Sequence, residues 1–506
     1  MDNLKGKRVL IFQQRGWGKG IGRFLAKKLY EEGAILAAVT FKRNTHGSIV
    51  QQTDAKYELI ISNDDIVSNP KKYLGDSNYS LKEICAALGV DSIWPIVSTV
   101  RWYARSYKDK YYYSFRQNVS DEVIADYVKA TYKTIKIVQE KFKPDVVIVP
   151  NFIEAFHIMY SLFFEKMGVP VMALTVSKVS GVYVMIRSFN EDKGDFIDRI
   201  NDLNDKKVTS SNLLKARKYI EEFRNKLKKP EGTQPGALEK KRASLKEIII
   251  NELRPYYHVL KWYLKPQIMR VNYWESVGPS IDYKPPRIIL RDYYSQKRYK
   301  KFFKNYDYYQ FEKLDKFAYY PLQVQPEQSL DTTAPFFNNQ IEVIRQIAMS
   351  LPDDYVLAVK EHPVMLDKRP PSYIEKIEKT PNVKIIDSRI STEEILKKAS
   401  LVVNQNSTTT AEAAFYSKPV IQLGNLGTTL KLPNVFKHTD MSTLSSKIKE
   451  VLGVNLHNEE YERRLENYVA AAYDVGIEFN YNGVWSLGEK GDMEKLWQFY
   501  KKNILS

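Results

Sequence analysis

Two short segments in the last third of the chain carry side chains suited to gripping an anion. Lys360-Glu361-His362-Pro363 follows the apolar run YVLAV, and Ser407-Thr408-Thr409-Thr410-Ala411-Glu412 follows LVVNQ. Each lies where a buried strand should hand over to a helix, the position at which open α/β sheets bind ligands. His362 can donate to a phosphate oxygen, Lys360 supplies a nearby cation, and Pro363 fixes the turn. A capped surface loop is the alternative for this turn. The hydroxyl run falls at the expected N-cap and first turn of a helix, where side chains and free backbone N–H groups converge on one point. Glu412, one turn inside, can reach a ribose diol, and a capping box with Thr409 is the structural alternative. Nucleotide chemistry is the leading expectation.

A third segment, Arg15-Gly16-Trp17-Gly18-Lys19-Gly20-Ile21-Gly22, follows a strand and opens a helix. Glycines there let backbone N–H groups face an anion, and the helix start adds positive potential. The spacing resembles the GxxxGIG loop of short-chain dehydrogenases, which implies NAD(P) chemistry. Against that reading, Arg15 stands where a threonine leads, and the Tyr-x-x-x-Lys pair occurs only as Tyr257 and Lys261, far outside the expected position. An acceptor-side or phosphate-contacting loop explains the same glycines, as does a tight turn without ligand. Glu154 in PNFIEAFH, just after another strand, is a candidate general base, with His157 three residues along on a similar helix face. A carboxylate in a first helical turn is also favoured by the helix dipole alone.

Alternating strand and helix signals position these groups. The first lobe reads KRVLIF, a helix from about Ile21 to Glu32, ILAAVTF and YELIIS. It resumes with a helix from about Asp121 to Lys141, DVVIVP, a helix from about Ile153 to Met167, and PVMALTV. The second lobe begins near Phe317 with FAYYPLQ and continues through YVLAV, VKIID, LVVNQ and PVIQL, with helices between. Such alternation predicts α/β architecture with two doubly wound parallel sheets. The expected division is 1–189 for an acceptor-side domain, 190–314 for a helical, basic-aromatic insertion, 315–453 for a nucleotide-sugar domain, and 454–506 for terminal helices that can cross back. Within the insertion, 229–236 reads as a linker. The following KKRASLKEIIINELRPYYHVLKWYLKPQIMRVNYW suits a membrane-surface helix, although a helical hairpin packed on protein is preferred at this level. The stretch SIWPIVSTVRWYARSYKDKYYY is aromatic and basic and has no assigned place.

Bulk properties narrow the classes. With 506 residues, 43% of them hydrophobic, the chain can bury more than one core. A single cysteine excludes an internal disulfide and fits a reducing cytoplasm. The six histidines are dispersed, and Asp353-Asp354 falls in a turn before a strand, so a metal is not expected. No run of 18 apolar residues occurs, and MDNLKGKRVLIFQQRG reads as a strand rather than a secretory signal. A net charge of +17, from 77 basic against 60 acidic residues, favours an anionic partner such as nucleotide phosphate, acidic glycan or anionic lipid. Nucleic acid is not expected, because no finger, helix-turn-helix or RNA-binding signature accompanies the charge.

Four motifs in order, YYPLQVQPEQS at Tyr319 to Ser329, VKEHP at Val359 to Pro363, PNVKIID at Pro381 to Asp387, and STTTAEAAFYSKPVI, resemble the capsular and surface-polysaccharide biosynthesis glycosyltransferases of the GT-B fold. The EAAFYSKPVI part is similar to the EA-x-x-x-G-KP-V-I element of many GT-B enzymes. This resemblance implies a glycosyltransferase that uses a nucleotide-sugar, with slight preference for a CMP-sugar, and no further cofactor. Lys360, His362, Ser407, Thr408 and Thr409 would lie near phosphate and Glu412 near ribose, with Gln325 and Glu327 lining the cleft opposite. The acceptor would be a glycan or lipid-linked glycan. A cytoplasmic enzyme is expected, and the basic charge together with the aromatic-basic segment near Trp262 and Trp274 points to a peripheral place at the inner face of the plasma membrane. A nucleotide-sugar or glycan binder that has lost transfer is the alternative.

Overall fold

The computed structural model describes residues 4–100, 103, 119–225, 244–267, 273–279, 285–481 and 490–506. The expected linker at 229–236 and most of the aromatic-basic stretch after residue 100 lie outside the described residues.

Apolar runs become strands because both faces of each sheet are covered by helices, which permits continuous rather than alternating hydrophobicity. The first lobe contains β1 (Arg8–Gln14), β2 (Ile35–Phe41), β3 (Tyr57–Ser62), β4 (Val146–Ile148), β5 (Val171–Val176) and β6 (Val182–Ile186). A small hairpin, β7 (Tyr273–Trp274) and β8 (Gly278–Pro279), belongs to the insertion. The second lobe contains β9 (Phe317–Pro321), β10 (Val356–Lys360), β11 (Val383–Ile386), β12 (Leu401–Asn404), β13 (Val420–Gln422) and β14 (Val435–Lys437), and β15 (Ile477–Glu478) returns to the first.

The first sheet runs β15-β6-β5-β4-β1-β2-β3, and the second runs β11-β10-β9-β12-β13-β14. Pairings in the second are all parallel, whereas β6 and β15 close the first with antiparallel edges. Chain order therefore reverses between β1 and β4 and between β9 and β12, the switch points where doubly wound sheets open a crevice. The expected fold class, α/β with two Rossmann-like doubly wound domains and a helical insertion, is the one observed. Period-two alternation along β1 shows the layering: Leu10 and Phe12 join the core under the helix Ala155–Lys166, while Val9 and Ile11 join Leu25 and Leu29 on the other face.

The lobes are joined through the start of the insertion and the helix Glu459–Val475. Helices Asp195–Asn204 and Leu213–Asn225 share one apolar cluster with that helix and with Ala411, Ala414 and Phe415 of the second lobe. The Tyr468 hydroxyl lies 2.9 Å from both the Ser177 and Thr428 carbonyls. Buried Glu191 accepts from Thr175 at 2.9 Å and from Thr428 at 2.8 Å. Gly427 allows this approach, because a Cβ there would stand 2.4 Å from the Asp192 Cα. The last helix, Lys490–Leu505, buries Leu496, Trp497, Tyr500 and Ile504 on the first lobe, and Lys501 pairs with Glu32 at 2.7 Å.

Two elements differ from expectation. The segment from Arg15 to Lys19, read as a glycine loop, is a short helix that abuts the helix Ile21–Glu31. The basic-aromatic segment forms the helix Leu245–Leu264, which lies on the helix Pro286–Lys304 but buries none of its residues. A hairpin packed on protein is therefore correct for only one of its faces.

Candidate functional site

At the switch point of the second sheet the strand ends are paved with amides. Gln323, just after β9, receives Arg369 Nη2 on its carbonyl at 2.7 Å, and its N–H donates to Gln340 Oε1 at 2.7 Å. Gln405, after β12, donates to the Phe337 carbonyl at 2.9 Å, and its side chain also meets the Tyr320 hydroxyl. Asn406 donates to Ser329 O at 2.8 Å and accepts from Gln422 Nε2 at 2.9 Å. Such a network rigidifies these strand ends, since every buried polar group that finds a partner loses freedom to move.

The turn after β10 is organised by a residue that the sequence reading passed over. Glu361, 1% exposed, pairs with the fully buried Arg369 at 2.7 Å, and its other oxygen accepts the His362 N–H at 2.7 Å. Burial pushes the Glu361 carboxyl up, and the adjacent guanidinium opposes that shift. The pair thus ties the β10 turn to the carbonyl that ends β9. His362 Nδ1 accepts from the Val364 N–H at 3.2 Å, which leaves the hydrogen of a neutral imidazole on Nε2. No local sequence signal marks Arg369 as the partner of Glu361.

The expected donor-side residues separate into two groups. His362, Ser407 and Thr408 remain half-buried or exposed at turns on either side of the β9 end, because β10 and β12 flank β9. Ser407 is the N-cap of the helix Thr408–Phe415 and accepts from the Thr409 N–H at 3.2 Å. This cap replaces the box between Thr409 and Glu412 that spacing allowed. Lys360 turns towards the outer edge of the sheet, donating to the Ile390 carbonyl at 3.0 Å. Thr409 and Glu412 are buried; burial raises the hydroxyl pKa values of Tyr319 and Tyr219, and the nearby Glu412 charge adds to that shift. Gln325 is fully buried, donating to Asp331 and to the Asn338 carbonyl, both at 3.2 Å, while Glu327 is the exposed N-cap of a short helix.

In the first lobe, a cavity at the β1 and β4 switch point is lined by Gln14, Arg15, Lys42, Asp64, Glu154 and Trp274, among others. Lys42 adopts a left-handed backbone, φ 76°, held by a hydrogen bond from its N–H to Asp64 Oδ2. The other Asp64 oxygen accepts from Trp274 Nε1 at 3.0 Å, so one carboxylate fastens the insertion over the first lobe. Burial raises the Asp64 carboxyl, and the Lys42 charge opposes it. Glu154, 3% exposed, is the N-cap residue of the helix Ala155–Lys166. Asp64, Lys42 and Trp274 were not singled out as site residues, because only the folded chain unites β2, β3 and the insertion.

His157 does not share that cavity. Its ring stacks on Phe41 at 4.6 Å, contacts Gln14 Oε1 at 3.1 Å, and is driven down to about 3 by burial. It is a neutral group that orients Gln14 from beneath. The glycines of the helices Arg15–Lys19 and Ile21–Glu31 are also explained in part by packing: a Cβ on Gly18 would lie 2.8 Å from the Gln13 carbonyl carbon, and one on Gly22 would lie 2.4 Å from the Trp17 ring. Gly20 has room, and Arg15, Gly16 and Lys19 are exposed. Among the described residues no group of three His, Cys, Asp or Glu side chains could hold a metal ion.

Residues 205–426 match the model of a family described as capsule polysaccharide biosynthesis protein. The resemblance read from the motifs holds for this region. No curated protein matches the chain. Among solved structures, KpsC of Thermosulfurimonas dismutans, a beta Kdo 2,7 transferase, aligns with TM-score 0.34 and 14% identity over 68% of this chain and 80% of its own. UDP-GlcNAc 2-epimerase of Neisseria meningitidis, bound to UDP-GlcNAc, aligns with TM-score 0.25 and 11% identity over 92% and 97%. The glycosyltransferase of kitacinnamycin aligns with TM-score 0.27 and 9% identity over 98% and 99%. The matched region takes in the joint helix Leu213–Asn225, the outlying helix pair, Trp274 and the second sheet as far as β13. It includes His362, Ser407 and Thr408 and excludes Glu154.

Proposed function

We propose that this chain is a GT-B type glycosyltransferase of capsule biosynthesis, metal-independent, which moves a sugar from a nucleotide-sugar onto a glycan or lipid-linked glycan acceptor. The observation that carries the reading is the placement of His362, Ser407 and Thr408 at strand ends beside the switch point of the second sheet, inside the region that matches the capsule-synthesis family model. The donor phosphate meets the His362 Nε2 hydrogen and the exposed start of the helix Thr408–Phe415, whose N–H groups and dipole stabilise the charge that develops on the leaving oxygen. The acceptor hydroxyl enters the first-lobe cavity beside Glu154. Its oxygen bonds to the anomeric carbon, the carbon–oxygen bond to phosphate breaks with its electron pair on the phosphate, and the hydroxyl proton passes to the Glu154 carboxylate. Lys360 acts through Ile390 and the sheet edge rather than on the phosphate.

A thermal-shift panel of nucleoside mono- and diphosphates, starting with CMP, tests the donor half. The matching nucleotide raises the melting temperature by mass action, and His362→Ala reduces the shift. Transfer assays with the donor so identified test the acceptor half: Glu154→Gln should lower turnover about 10²- to 10⁴-fold with the nucleotide shift unchanged. A Glu154→Gln enzyme of normal turnover removes Glu154 from the mechanism. A nucleotide-sugar binder without transfer is the second reading, favoured by the burial of Glu412 and the outward turn of Lys360. It predicts the nucleotide shift with no sugar released from any donor.

A further inference from the structure

The helix Leu245–Leu264 opens with a capping box between Ser244 and Glu247 and is the outermost layer of the insertion. Beneath it, the helix Pro286–Lys304 buries Ile288, Ser295, Tyr299 and Phe303, and Phe303 belongs to the core of the second lobe. The outer helix is fastened to this layer by Tyr256 to Tyr294, 2.7 Å between hydroxyls, and by Glu252, which accepts from Tyr293 at 2.5 Å and pairs with Lys297. Its Pro255, His258 and Trp262 are half-buried. On the opposite face, Ile249, Leu253, Tyr257, Leu260 and Leu264 recur at spacings of three and four, one helical stripe, and are 55% to 68% exposed. A stripe of this kind directed away from its own support is an unfilled interface, because apolar area left in water costs roughly 25 cal/mol per Å².

We propose that this stripe lies in the headgroup and acyl boundary of an anionic bilayer, with the helix parallel to the surface. Charge selects that occupant. Lys246, Arg254 and Lys261 border the stripe on the same helix, and Arg298, Lys301 and Lys304 stand exposed on the supporting one. A basic margin around Leu, Ile and Tyr is the composition of interfacial helices, in which long cationic side chains reach the lipid phosphates while the apolar face is buried. Neither this helix nor any other among the described residues is long and apolar enough to cross a membrane, so it rests on the surface. The proposal goes beyond the transfer reading and stands without it.

Flotation of the purified full-length protein with vesicles tests it. The protein should float with phosphatidylcholine vesicles containing phosphatidylglycerol, remain behind with phosphatidylcholine alone, and be released by raised salt. The double substitution L253E/L260E should weaken vesicle partition about tenfold or more while leaving the melting temperature unchanged, since neither side chain is buried in the fold. Wild type that fails to float, or L253E/L260E that floats as wild type does, overturns the proposal. So does light scattering that finds a wild-type dimer which L253E/L260E dissolves without any vesicle binding, because a second copy would then cover the stripe.

Discussion

His157 illustrates how one side chain changes meaning between sequence and structure. Three residues from Glu154 on one helix, it reads as a partner in proton transfer; in the fold it sits among Phe12, Phe41, Phe156 and Tyr160 with its pKa lowered to about 3. The folded chain keeps the imidazole neutral, whereas the unfolded chain protonates it below about 6.5. Protons therefore favour the unfolded state, and the stability this group supports is lost as pH falls from about 6.5 towards 3. We expect wild type to lose about 2 kcal/mol from this source between pH 7 and pH 5, and His157→Phe to lack that increment in urea unfolding. Equal acid sensitivity in the two proteins would refute the assignment. His362, by contrast, was legible as a half-buried side chain at the turn after β10, because a Pro-fixed turn after a strand leaves few places for its ring. The Glu361–Arg369 pair beside it was not, since a buried ion pair leaves no spacing rule in the chain.

At the scale of elements, the strands that bind the two sheets together were readable because burial on both faces demands continuous apolar runs such as RVLIF and VLAV. The edge strands β6, β14 and β15 were missed: they are short or turn antiparallel, and pairing across the sheet defines them more than composition does. The glycine segment shows the same division. Gly18 and Gly20 look alike in a motif, yet only Gly18 faces the Gln13 backbone. Gly18→Ala should cost about 1 to 3 kcal/mol by overpacking, and Gly20→Ala less than about 1 kcal/mol, in denaturant titrations. Similar costs at the two positions would show that packing of the first helix does not explain the glycines.

Across the whole molecule, the joint between lobes decides whether the two switch points can act together. Tyr468 contributes one hydroxyl hydrogen shared between Ser177 of the first lobe and Thr428 of the second. Tyr468→Phe leaves those carbonyls without it and should lower unfolding stability by about 1 to 3 kcal/mol. An unchanged urea midpoint would mean that apolar packing around Ala470, Ala471 and Ala472 holds the joint alone. The sequence by itself determined the alternation of strands and helices, the division into two doubly wound lobes, and the turns at which an anion could be met. These follow from local periodicity and from the chain's need to bury apolar faces. Only the tertiary structure decided which of those turns stay open, that Lys360 is turned to the outer edge of the sheet while Glu412 is buried, and that Asp64 and Trp274 close the first-lobe cavity. Side-chain direction and long-range pairing depend on strand order and on the joint, and neither is encoded in the spacing of neighbouring residues.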